Sequence, residues 1–293
     1  MAETKYPMIG KLVLITGATS GIGEAAATEL AAWGASIVAV VRNRRRGEET
    51  LAQIRATTGN EQLELLVGDL AAQADVRRVA QEFKERHDRL DVLINNAGGV
   101  FGSRRVTSDG LELTFALDHL AYFLLTNELL DVLKASTPSR IVSTSSDAST
   151  QGSIELDDLQ LERGYKPFRA YSNAKLANIL FTFELARRLA GSGVTANCVH
   201  PGFVRSGFGS GLGGPMRLGT KAAQLFARRP EKGAETIVYL ASSPAVASVT
   251  GKYFFDKQPK TPPAAAVDVA LARRLWAMSE QLTGVGGPAA AAA

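Results

Sequence analysis

Short apolar runs rich in Val and Ile alternate along the chain with stretches whose apolar positions recur every three or four residues. The first run, over 11–16, predicts a strand; a helix over about 21–33 and a strand over 35–41 complete a βαβ unit. The alternation continues with a strand over 63–67, a helix near 74–87, a strand over 90–95, a helix near 109–133 and a strand over 140–144. A helix over about 168–189, a strand over 194–199, a last helix near 231–240 and a strand over 252–255 follow. These strands are too apolar for a solvated face. The pattern therefore predicts an α/β fold of Rossmann type, a doubly wound, seven-stranded parallel sheet with helices on both faces.

No linker or internal repeat interrupts the alternation, so residues 1–285 read as a single domain with a C-terminal helix over about 267–282. The irregular stretch 203–230 mixes glycines with Phe203, Phe208, Leu212, Met216 and Phe226, which suits an apolar flap over a ligand or a loop that covers the core. Residues 286–293, Gly-Gly-Pro running into alanines, read as a disordered low-complexity tail.

Composition narrows the class. With 45% hydrophobic and 21% charged residues over 293 positions, the chain has enough apolar material for one large α/β domain. Its 33 basic and 29 acidic residues leave only +4, scattered, so nucleic acid is not an implied partner. One cysteine, Cys198, excludes an internal disulfide, and His87, His119 and His200 have no metal-ligand spacing. No window approaches the ~18 apolar residues of a membrane span, and the opening MAETKYPMIG is no secretory signal. A cytoplasmic protein is expected.

The candidate chemistry gathers at carboxyl ends of strands, where open α/β sheets bind ligands. Gly17, Thr19, Ser20, Gly21, Ile22 and Gly23 form a Gly-x3-Gly-x-Gly turn between a strand and a helix, the setting that cradles a pyrophosphate. Alone it also suits a tight turn that holds nothing. The second strand runs into Arg42-Asn43 with no carboxylate for an adenosine ribose, and arginine there favours the 2′-phosphate of NADP(H) over NAD(H). Arg45 and Arg46 fit a solvated helix start equally well. Asp69 and Leu70 follow the third strand, and Asn95, Ala97 and Gly98 the fourth, so both groups face the same crevice. Tyr171 and Lys175 lie four apart on one helix face, where an ammonium and an oxidised nicotinamide lower a phenol's pKa from about 10. Ser145 and Ser146 end the fifth strand and bring a hydroxyl to that crevice.

TGATSGIG at 16–23, NNAG at 95–98, the strand-end serine, YSNAK at 171–175 and His200-Pro201-Gly202 together resemble the short-chain dehydrogenase/reductase family. RIVSTSS, SIELDDLQLERGY, KLANILFTFELARRL, VHPGFVRS and GKYFFD resemble its retinol-dehydrogenase-like branch, over about residues 8–282. That resemblance implies an NADP(H)-dependent enzyme that interconverts a carbonyl and an alcohol by hydride transfer. Tyr171 would pass the proton, and Ser146, 25 residues before it as in that branch, would orient the oxygen. Lys175 would bind the nicotinamide ribose and lower the tyrosine pKa. Pro201, Gly202 and Val204 would flank the nicotinamide amide, with Ser206 bonding the amide or the phosphates.

One position departs from the pattern. Where the family has asparagine before a His-Leu pair, this chain carries Asp118, whose charge would stabilise the Lys175 ammonium and weaken the drop in the tyrosine pKa. The flap suggests a small hydrophobic carbonyl or alcohol substrate. The resemblance allows a homodimer or homotetramer without choosing between them. A catalytically weak NADP(H)-binding sensor or assembly subunit is the competing reading, since a fold does not prove turnover.

Overall fold

The computed structural model describes residues 7–205 and 227–286. Its strands are β1 (Leu12–Thr16), β2 (Ser36–Val41), β3 (Leu63–Val67), β4 (Val92–Asn95), β5 (Ser139–Thr144), β6 (Val194–Val199), β7 (Tyr253–Phe255) and β8 (Gln258–Pro259). They form one sheet in the order β3-β2-β1-β4-β5-β6-β7-β8, parallel except for the β7–β8 pair. The sheet thus has eight strands, correcting the expected seven. The added strand is two residues long, too short to show alternation, and joins β7 through Asp256 and Lys257, both left-handed.

Alternation along each strand sends side chains to two apolar layers. Val13, Ile15, Ile37, Ala39 and Ile94 face one side with α1 (Gly21–Ala32), α2 (Arg44–Thr58) and α8 (Pro230–Ser242). Leu14, Val38, Val40, Leu93 and Ile141 face the other, against α3 (Gln73–Arg86), α5 (Ala121–Glu128) and α7 (Pro167–Arg188). Burial on both faces explains the near-continuous apolar runs of β1, β2 and β4, while β3 exposes Glu64 and β6 carries Thr195 and Asn197 between apolar residues. α2 carried no apolar stripe strong enough to read: its buried face is only Gly47, Thr50, Leu51 and Ile54. Its start is fixed instead by Asn43, whose side chain accepts from the Arg46 amide at 3.0 Å.

The helix expected near 109–133 is broken. Glu112 caps a single turn, α4 (Leu113–Phe115), by accepting from the Thr114 and Phe115 amides. A π-helical turn, Ala116–Leu120, then leads into α5, and α6 (Leu130–Ala135) follows separately. Such wide turns recur at functional sites. The last helix, α9 (Val269–Thr283), is capped by Asp268, and its Trp276 stacks on Phe181 of α7 at 5.7 Å.

The strand order reverses between β1 and β4, which opens the crevice there. A side-chain clasp holds its two lips. Thr16 Oγ1, buried, accepts from the Asn96 amide at 2.9 Å and the Ala97 amide at 3.0 Å. The Asn96 side chain returns a bond to the Thr16 carbonyl at 3.0 Å. Thr16→Val keeps the shape and strands two part-buried amide donors. Urea unfolding is expected to show a loss of about 2–3 kcal/mol; a loss below about 0.5 kcal/mol would remove the clasp from the account.

Candidate active site

The glycine turn closes directly on the loop after β4. Gly17 is left-handed (φ 71°), and a Cβ there would lie 2.8 Å from the Ala97 Cα. A Cβ on Gly23 would strike the Gly17 carbonyl oxygen and the Asn96 amide. Backbone therefore replaces side chains on both sides of the crevice. α1 begins at Ser20 with no side-chain cap, so its first amides are open to an acceptor from outside. Ile22 lies alongside, and Gly233 lets Val204 pack beneath it: a Cβ on Gly233 would fall 2.6 Å from Val204 Cγ2.

Arg42 is exposed just after β2 and has no ion-pair partner among the described residues. Arg44 and Arg45, by contrast, pair along α2 with Glu48 at 3.7 Å and Glu49 at 3.6 Å. Asn43 is exposed beside Arg42 as the helix cap. Asp69 accepts from the Ala71 amide at 3.1 Å and Leu70 is buried, so both shape the loop after β3. These residues fit an anionic dinucleotide lying over the switch point, with open amides at one end and a free guanidinium at the other.

Asn95 is placed differently from the crevice expected for it. Its side chain is fully buried and donates to Thr126 of α5 at 3.0 Å, leaving only its main chain near the crevice. The neighbouring Asn96 makes the clasp instead. Pleat parity could have revealed this: Asn95 shares the face of Leu93, which is core. Pro201 is buried, Gly202 is left-handed (φ 84°) with its amide donating to His200 Nδ1 at 3.0 Å, and Val204 bridges Arg228. Ser206 and most of the expected flap lie outside the described residues.

Tyr171 and Lys175 sit one turn apart on α7, with the ammonium 5.4 Å from the phenol ring centre. The two serines divide their work. Ser145 is buried and donates to the Lys175 carbonyl at 2.6 Å, fastening the end of β5 to α7. Ser146 is half-buried and presents its hydroxyl to the Tyr171 phenol.

Asp118 projects from the π-helical turn into the same place. Its Oδ1 accepts from the Gly99 amide at 2.8 Å, and its Oδ2 lies 3.1 Å from Lys175 Nζ, held by charge more than by hydrogen-bond alignment. Both side chains are almost completely shielded, at 0% and 4% exposure, so neither charge has water to screen it. Gly98 makes the room: a Cβ there would fall 2.9 Å from Asp118 Oδ2 and 3.1 Å from Lys175 Nζ.

Burial pushes the Asp118 carboxyl up, opposed by Lys175 and the Gly99 amide. Burial alone would depress Lys175, but Asp118 foremost outweighs it and holds the ammonium above the usual lysine range. Burial also raises the Tyr171 phenol; Lys175 and Ser146 pull it back, and Asp118 adds to the rise. Without a nicotinamide charge, the phenol therefore lies above its ordinary value. Burial outweighs the lowering expected from Lys175, and the carboxylate beside it offsets part of that lowering.

Crevice, glycine turn and the pair of half-buried Tyr171 and buried Lys175 have counterparts in known proteins. The profile of the short chain dehydrogenase family matches residues 11–213. The chain belongs to the short chain dehydrogenase family. Human retinol dehydrogenase 14 is 44% identical over 294 residues, covering 95% of this chain and 88% of the relative. The crystal structure of an uncharacterised protein from Mycobacterium paratuberculosis has a TM-score of 0.77 at 36% identity and covers 95% of this chain and 96% of its own. RhlG of Pseudomonas aeruginosa, solved as an active-site complex with NADP, has a TM-score of 0.69 at 26% identity, covering 86% of this chain and 97% of its own. This short chain dehydrogenase is an oxidoreductase of CH–OH donors with a nicotinamide-binding fold. Among its described residues no helix is long and apolar enough to cross a membrane, and no cluster of His, Cys, Asp and Glu is set to hold a metal.

Asp118→Asn keeps an acceptor for Gly99 and removes the charge that raises the phenol. Alcohol oxidation, which needs the phenolate, is expected to rise severalfold near neutral pH, with its ascending limb moved to lower pH. Measured pH–rate profiles that superimpose would end this argument.

Proposed function

We propose that the enzyme reduces small hydrophobic aldehydes or ketones with NADPH, using Ser146, Tyr171 and Lys175, with Asp118 as the partner of the lysine. The observation that carries the reading is the Tyr171 phenol, set between the Ser146 hydroxyl and the Lys175 ammonium and held above its ordinary pKa. A phenol that stays protonated is an acid, and carbonyl reduction needs one. Tyr171 gives its proton to the carbonyl oxygen, while Ser146 hydrogen-bonds that oxygen and fixes its approach. Lys175 steadies the phenolate left behind, and Asp118 keeps the lysine charged through the cycle. Bound NADPH supplies a hydride from its nicotinamide ring.

The preference for NADPH rests on Arg42, which follows β2 and has no ion-pair partner among the described residues, and is supported by the NADP complex of RhlG. An apolar substrate is supported by the retinol dehydrogenase relatives and by Phe203, 48% exposed in the loop after β6.

The reading is tested by following NADPH and NADH oxidation over aliphatic, aromatic and isoprenoid carbonyls. Tyr171→Phe is expected to abolish turnover, at least about a hundredfold, with NADPH binding retained. NADPH binding with no reduction of any carbonyl by the unaltered enzyme would favour a sensor instead. Arg42→Ala is expected to raise the KM for NADPH about tenfold or more and leave that for NADH unchanged. Equal effects on both cofactors would overturn the 2′-phosphate assignment.

A further inference from the structure

Among the groups around the site, Asn178 has no role in the proton chemistry above, yet it is fully buried, and both its amide hydrogens and its oxygen have partners. Its Nδ2 donates to the Asp118 carbonyl at 2.8 Å and to the Thr144 carbonyl at 3.2 Å. Its Oδ1 faces His119 Nδ1 at 3.2 Å. Two carbonyls on the nitrogen side fix the orientation of the amide. Burial holds His119 down to about 4, so the ring is neutral near pH 7, and an acceptor-only Oδ1 places the ring proton on Nδ1. The other ring nitrogen, Nε2, lies 3.1 Å from Ser279 Oγ of α9.

The position of this amide gives the contacts their meaning. Asn178 lies three residues beyond Lys175 and shares its face of α7. One bond reaches the main chain of Asp118 within the π-helical turn. The other reaches Thr144, the last residue of β5, two before Ser146. A single side chain thus joins the helix of Tyr171 and Lys175 to the segments that present Asp118 and Ser146.

We propose that Asn178 is a positioning residue that fixes the Asp118–Lys175 pair and the Ser146 strand end relative to one another, with His119 and Ser279 of the C-terminal helix bracing it from behind. The proposal rests on the site residues assigned above. Removing the amide frees the Asp118 carbonyl and lets the π-helical turn shift. The first bond to loosen would be that from the Gly99 amide to Asp118 Oδ1, 2.8 Å long in the intact site.

The test compares Asn178→Ala with Thr182→Val in the full chain. Thr182 is also buried on α7 and donates to the Asn178 carbonyl at 2.7 Å, so its loss perturbs the same helix and spares both braced carbonyls. Hydrogen exchange of the Gly99 amide is expected to accelerate at least about tenfold in Asn178→Ala and to change little in Thr182→Val. In carbonyl reduction, kcat is expected to fall about tenfold or more with the KM for NADPH within about twofold. Should Asn178→Ala fail to fold, Asn178→Ser, which keeps one donor, is measured in its place. Equal exchange at Gly99 in the two variants, or a rise in KM with kcat intact, would overturn the proposal. The exchange comparison needs no turnover. Absence of carbonyl reduction in the unaltered protein therefore counts against the proposed reaction, while Gly99 alone decides the brace.

Discussion

A charged lysine shut away from water must meet an opposite charge or lose its proton. Lys175 meets Asp118 at 3.1 Å, and much of the local architecture follows from that meeting. Gly98 has to lack a side chain, because the pair occupies the space a Cβ would take. The helix carrying Asp118 widens into a π turn at the residue whose carboxylate reaches both Lys175 and the Gly99 amide. The phenol of Tyr171 inherits the result: the neighbouring cation is largely neutralised, and burial decides its acidity.

The crevice at the strand-order reversal and the buried pair are built from one short segment. Asn96 and Ala97 face β1 and bond Thr16, while Gly98 and Gly99 face the other way and accommodate Asp118. Four consecutive residues thus close the turn and seat the carboxylate. This shared segment explains why two adjacent glycines sit where a cofactor crevice and a buried charge meet.

The parallel sheet, its switch point and the elements bearing the candidate residues were legible because they depend on patterns that repeat: apolar strands, helical spacing, glycines between a strand and a helix. β8 was illegible because two residues cannot show a period, and its turn uses Asp256 and Lys257 in place of glycine or asparagine. α2 was faint because one face of it is arginine and glutamate held in salt bridges. The break in the helix around Asp118 was hidden for another reason. Its apolar spacing is helical throughout, and the π turn arises from tertiary demands on one carboxylate. Asn178 was read only as a letter inside a core helix, since a brace between two carbonyls leaves no mark in spacing.

Choosing between Ser145 and Ser146 shows where sequence spacing and physical chemistry meet. Spacing favoured Ser146, at the separation from Tyr171 found in the branch this chain resembles. The geometry supplies the reason: just beyond β5, one of the two adjacent hydroxyls turns back toward α7. Ser145 does so and donates to the carbonyl of Lys175 itself, leaving its neighbour half-buried at the mouth of the crevice. The hydroxyl buried deeper spends its proton on the fold, whereas the partly solvated one accepts from the Ala148 amide at 3.2 Å and keeps its proton to donate.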